Sequence, residues 1–149
     1  MLTMLRQSSS AAISSATSAV IARIAPDVRV IDITHGIDAG DIHGAAFALA
    51  AACPFFPHGS IHVAVVDPGV GSSRRALALE TQSALFIGPD NGVLTFAARR
   101  TAVLRAIELD RPDWFLPTVS RTFHGRDIFA PVAAWLATGR PFHEAGSPV

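Results

Sequence analysis

Residues 60–75 read SIHVAVVDPGVGSSRR, and this stretch decides the fold. From Ile61 to Val66 it is almost continuously apolar. That is the pattern of a strand covered by helices on both faces. Asp67-Pro68-Gly69 then reads as a tight turn at the strand's carboxyl end. The turn has a carboxylate at its entry and two guanidiniums, Arg74 and Arg75, at its exit. Open α/β sheets carry their ligands outside the carboxyl ends of strands, so this turn is a first candidate site.

Moving outward, strands and helices alternate. VRVIDITHG (28–36) is short, β-branched and bounded by turn residues, hence a strand. DIHGAAFALAAACPFFPHG (41–59) opens on Asp41 as N-cap, repeats Ile42, Ala45, Ala46, Leu49 and Cys53 at helical spacing, and is closed by Pro54 and Pro57. RALALET (75–81) and ALFIGPDNG (84–92) are two further strands, GVLTFAARR (92–100) a short helix, and AVLRAIEL (102–109) another strand. DIFAPVAAWLATG (127–139) is a last helix with Asp127 at its positive end and Gly139 just past its end. The tail from Arg140 is loop-like. AVIARIAP (19–26) reads as the end of a helix stopped by Pro26. The order implies an α/β fold, a three-layer α/β/α domain with a mostly parallel central sheet.

Composition narrows the function. The 149 residues suit one domain, and half of them are apolar. Formal net charge is zero, so no electrostatic footprint for nucleic acid exists. The longest apolar stretch, around 45–56, is too short for a membrane span and is broken by Pro54. The single cysteine, Cys53, excludes an internal disulfide and fits a reducing cytoplasm. Residues 1–18 are Ser/Ala-rich without an acid, and lack the apolar run of a signal peptide. They are expected to form a divergent or disordered N-terminus that packs poorly, with the domain spanning 19–149.

Four polar clusters fall at strand ends or helix starts: Asp32 to His35, Asp67 to Arg75, Pro89-Asp90-Asn91-Gly92, and TFHGRD at 122–127. Singly each is an ordinary turn. The glycines match neither the dinucleotide fingerprint nor the phosphate loop, which leaves a phosphate-binding α/β domain a weak third reading. The histidines show no zinc spacing, so no metal is expected.

Together, VRVIDITHGI, DIHGAAFALA, FPHGSIHVAVVDPGVGSSRR, FIGPDNGVLT and SRTFHGRDIFAPVAAWLATG resemble the S-adenosyl-L-methionine hydroxide adenosyltransferase family. These are adenosine-forming hydrolases related to the fluorinating and chlorinating enzymes. The resemblance covers about residues 19–146. It implies attack of water or hydroxide on ribose C5′ of S-adenosyl-L-methionine, giving adenosine and L-methionine, with no cofactor. It implies catalytic roles for Asp67, Arg74 and His124, and substrate contacts from Phe123, Gly125 and Asn91. Gly125 stands where the halogenating relatives place a small hydroxyl side chain, so the chain looks like the hydroxide-using branch.

The resemblance also implies parts that are not found here. The family's first strand ends in Asp-Phe-Gly, whose Asp binds the ribose; the text here is Ser/Ala-rich, so that first strand is expected to be missing. A C-terminal β domain and a trimer, in which a neighbouring subunit completes the site, are further implications. That domain is absent from these 149 residues. The alternative to a hydrolase is therefore a catalytically silent, truncated remnant of the family.

Overall fold

The computed structural model describes residues 1–7 and 11–149, with side chains from 1–4 and 15–149. Strands β1 (Leu2–Gln7), β2 (Val30–Ile37), β3 (Ser60–Val65), β4 (Ala76–Thr81), β5 (Ala84–Pro89), β6 (Val103–Glu108) and β7 (Ser147–Pro148) form one sheet. Its order is β2-β1-β3-β5-β4-β6-β7. The β2-β1-β3-β5 half is parallel, and β4, β6 and β7 continue it antiparallel. Helices α1 (Ala11–Ile24) and α4 (Ala130–Ala137) touch each other, as do α2 (Ile42–Ala52) and α3 (Thr95–Ala98).

The two faces of the sheet carry separate cores. Leu2, Met4, Ile61, Val63 and Ile87 join Ile21 of α1, Trp114 and the α4 residues in one cluster. Ala64, Val66 and Phe86 join Ala45 and Leu49 of α2 with Val93, Leu94 and Ala97 in the other. Alternation along β3 explains the split: Ile61 and Val63 face one layer, Ala64 and Val66 the other. The expected α/β/α arrangement is thus present, with parallel pairing confined to the β2-β1-β3-β5 half.

The N-terminal expectation is corrected. Residues 2–7 fill the position between β2 and β3, with Leu2 beside Ile61 and Met4 beside Val63. Leu2, Thr3 and Met4 are fully buried. A first strand is therefore present, although it does not end in Asp-Phe-Gly. Residues 11–24 form α1, which buries Thr17 and Ile21 one helical turn apart. An interior strand is held by ladders on both edges, so a modest run such as Leu-Thr-Met-Leu suffices. The part of the 1–18 expectation falling on residues 8–10 lies outside the described residues. The tail also differs in a small way, since Ser147–Pro148 pairs with β6.

From β1 the chain crosses by α1 to β2 on one side. From β2 it crosses by α2 to β3 on the other side of β1. The strand order therefore reverses at β1/β3. In doubly wound sheets the ligand crevice opens at the carboxyl ends beside such a reversal, and Asp67 follows directly after β3.

Candidate active site

The loop after β3 is shaped by its own side chains. Asp67 Oδ1 accepts the Gly69 N–H at 2.9 Å, an Asx-type turn that fixes the carboxylate. Arg74 folds back over this turn, and its Nε stands 2.9 Å from Asp67 Oδ1. Its N–H is not aimed at that oxygen and finds no acceptor in hydrogen-bonding geometry, so the contact is one of charge. A Cβ on Gly69 would lie 2.3 Å from the Arg74 guanidinium, so the lack of a side chain there lets arginine and carboxylate meet. Gly71, at φ +80°, packs against the Arg121 carbonyl and docks this loop on the one carrying His124. Arg75 points elsewhere, with Nε and Nη2 donating to Asp90 Oδ2 at 2.9 and 2.6 Å.

His124 heads a helical run that begins with a π turn, Gly125–Phe129, and continues into α4. π turns recur at functional sites. Pro131 has no N–H to give the Asp127 carbonyl one turn back. That carbonyl instead accepts the Leu116 N–H at 2.9 Å. The Asp127 side chain, fully buried, accepts the Ser120 N–H at 2.9 Å and Arg126 Nε at 2.6 Å. Burial pushes this carboxyl up, but the bonds from Arg126 and Ser120 together outweigh it and hold it below the ordinary carboxylate range. Asp127 thus ties the 116–123 loop to the helix start and fixes where His124 emerges. The sequence showed only its place near the helix end.

Asp67 and His124 line one small cavity of about 50 Å³, with Val65, Val70, Thr122, Gly125 and Phe129. Arg74 reaches it through Asp67. Phe123 precedes it on the surface, 36% exposed, with the Arg126 guanidinium 5.1 Å from its ring centre. Asn91 does not line it. Its amide donates to the Val66 carbonyl at 2.8 Å and its Oδ1 accepts the Val93 N–H at 3.1 Å, bracing the end of β3. Asn91 also borders a separate hollow with Gly40 to His43, Thr95 and Phe96. Asp32 and His35, both within β2, form a pair at 3.1 Å. Among the described residues, no three His, Cys, Asp or Glu side chains gather as a metal site, and no helix is long and apolar enough to cross a membrane.

Residues 8–146 match the family model described as SAM hydroxide adenosyltransferase N-terminal domain. An (R)-S-adenosyl-L-methionine hydrolase of Salinispora arenicola is 53% identical over 131 residues, covering 87% of this chain and 50% of that protein. Its counterpart from Thermus thermophilus is 44% identical over 138 residues, covering 88% and 54%. A fluorinase of Nocardia brasiliensis is more distant, 25% identical over 146 residues, covering 83% of this chain and 49% of that protein. A crystal structure of an uncharacterized conserved protein from Thermotoga maritima superposes with a TM-score of 0.96 at 38% identity, over 100% of this chain and 58% of that one. The chain spans about half the length of the curated relatives it matches.

Proposed function

Because the chain belongs to the SAM hydroxide adenosyltransferase family, through that family's N-terminal domain, we propose that it supplies the nucleophile side of an S-adenosyl-L-methionine hydrolase. The reaction is attack of water or hydroxide on ribose C5′, forming the C5′–O bond as the C5′–S bond breaks. Adenosine, L-methionine and one proton result. The sulfonium leaves as a neutral thioether, so the protein's task is to place and deprotonate a small oxygen nucleophile. The carrying observation is that Asp67 and His124 face one water-sized cavity while Arg74 is charge-paired to Asp67.

Each group has a role that its chemistry suits. Arg74 favours the hydroxide form electrostatically, and His124 accepts or relays the proton. Asp67 orients the nucleophile and balances the arginine. Phe123 and Gly125 border the substrate, and Asn91 holds the end of β3 beside it. No cofactor is needed, because the leaving group is already activated. The names of the hydrolase relatives specify the (R) form of the substrate, and we extend that preference to this chain. We place the protein in the cytoplasm. We also propose a trimer in which a neighbouring subunit completes the substrate site, in keeping with exposed Phe47, Phe55 and Phe96.

The test is incubation of this domain, joined to the C-terminal half that its relatives carry, with each sulfonium epimer in isotopically labelled water. Adenosine and methionine in equal amounts, with the label on the 5′-oxygen, are expected. Absence of adenosine, with the protein folded, would favour the silent remnant.

A further inference from the structure

One wall of the small cavity is a contact between Val65 and Gly125. A Cβ built on Gly125 would fall 3.0 Å from Val65 Cγ1 and 3.6 Å from Cγ2. Unstrained carbon pairs sit at roughly 3.5–4.0 Å, so Val65 already occupies part of the space a side chain at position 125 would take. Both residues belong to regular backbone: Val65 ends β3 in register with Arg6, and Gly125 opens the π turn. The wall is therefore fixed by the sheet and the helix.

The remaining lining divides by chemistry. Asp67, Thr122 and His124 are polar, and Val70 and Phe129 are apolar. The space they leave is about 50 Å³, above the roughly 10–15 Å³ that a water needs. A water fits, and towards Val65 and Gly125 the packing leaves no room for a further heavy atom.

We propose that Val65 is a specificity-determining residue that, with Gly125, sizes the cavity to a single water-sized nucleophile. This rests on reading Asp67 and His124 as the groups that hold the nucleophile. Val65 has no titratable group. It acts by occupying the volume that a second heavy atom of the nucleophile would need.

The test is a competition between water and methanol. Attack by methanol forms a C5′–O bond, breaks C5′–S, and releases its hydroxyl proton to His124 and then to solvent. The products are 5′-O-methyladenosine and methionine. The ratio of ether to adenosine at fixed methanol does not depend on total rate, so a merely structural defect leaves it unchanged. Wild type should give adenosine almost alone. Val65→Ala should raise the ether fraction at least about tenfold, the lower end of what one methylene is worth in a tight apolar pocket. Val65→Ile should not raise it. An unchanged ratio in an active Val65→Ala protein would overturn the proposal.

If no variant forms either product, the hydrolase reading fails, and the cavity is judged separately. Methanol is then titrated against the backbone amide signals of Gly125 and His124 in the same chain. A saturable response in Val65→Ala but not in wild type supports the size filter, and equal responses overturn it.

Discussion

Near the amino end of β3, His62 is 1% exposed, with its Nδ1 2.6 Å from Thr3 Oγ1. Its ring stacks on Phe86 at 5.1 Å and meets the edge of Phe56 at 5.5 Å. Just past the carboxyl end, Asp67 shares a cavity of mixed polar and apolar lining with a second histidine, His124, which is half-buried. The first histidine is spent on packing and the second is left accessible. A histidine with one satisfied nitrogen among aromatic rings is a core residue. One that fronts a cavity beside a carboxylate–guanidinium pair suits the proton transfer proposed for it.

The amino-end half of this contrast is broken most strongly by acid. Burial pushes the His62 imidazole down to about 4, and the N-terminal charge adds to the effect. The unfolded chain takes up the proton first, near 6.5, so between those values it binds more protons than the folded chain. Stability is therefore full above about pH 6.5 and is lost as pH falls towards 4, by roughly 3 kcal/mol in total. Denaturant midpoints across this range should show the loss. His62→Phe, which cannot titrate, should flatten it, and an equal slope in that variant would assign the loss to other groups.

The carboxyl-end half is broken by truncating the two groups proposed to handle the proton. His124→Ala and Asp67→Ala should each slow adenosine release by at least about a hundredfold, the low end for such groups. Neither should shift the unfolding midpoint as far as His62→Ala does. A large stability loss without a rate effect would reverse the two assignments.

What the sequence made legible follows this contrast. Segments with a clear period or a continuous apolar run, β2 to β6, α2 and α4, could be read from their own residues. β1 could not: Leu2-Thr3-Met4-Leu5 is a short alternation beside a Ser/Ala-rich stretch, and the strand exists because β2 and β3 both present edges to it. At the site, the polar clusters at strand ends and helix starts could be read, but the choice of Asp67, Arg74 and His124 within them came from the resemblance. Val65 did not, because a valine ending an apolar strand looks like core until Gly125 is packed on it. The resemblance suggested a substrate contact for Asn91, but its amide N–H donates to the Val66 carbonyl, 25 residues away, while its Oδ1 accepts the nearby Val93 N–H. Asp127 gained its anchoring role from Pro131 and the returning 116–123 loop, a combination no local pattern encodes.

Asp127 sharpens the comparison from a buried carboxylate outside the cavity. Asp127→Asn keeps the shape but removes the charge that meets Arg126, and should cost about 2 kcal/mol, as for hydrogen bonds to a charged group. Because its carboxyl is held low in the folded chain, its contribution is present above the ordinary carboxylate range and is lost as pH falls below it. That window lies under the one governed by His62. The wild-type acid profile should therefore show two separable losses, and Asp127→Asn should remove the lower one. A single unchanged profile in the variant would refute the assignment.

The smallest effect is expected at Arg75, and it tests the placement of the site by one residue. Arg75 pairs with Asp90 on a half-exposed surface and faces away from the Asp67–His124 cavity. Solvent-exposed pairs of this kind contribute about 0–1 kcal/mol, so Arg75→Ala should leave stability within that range and turnover within about twofold. Arg74 differs because its guanidinium lies on the Asp67 turn and reaches the Asp90 carbonyl with Nη1 at 3.4 Å. Arg74→Lys keeps the charge but loses the forked donor geometry, and should slow adenosine release clearly more than Arg75→Ala does. Rates for the two single variants, measured side by side, settle the matter. If Arg75→Ala abolished turnover while Arg74→Lys left it intact, the arginine that serves the cavity would be the neighbour.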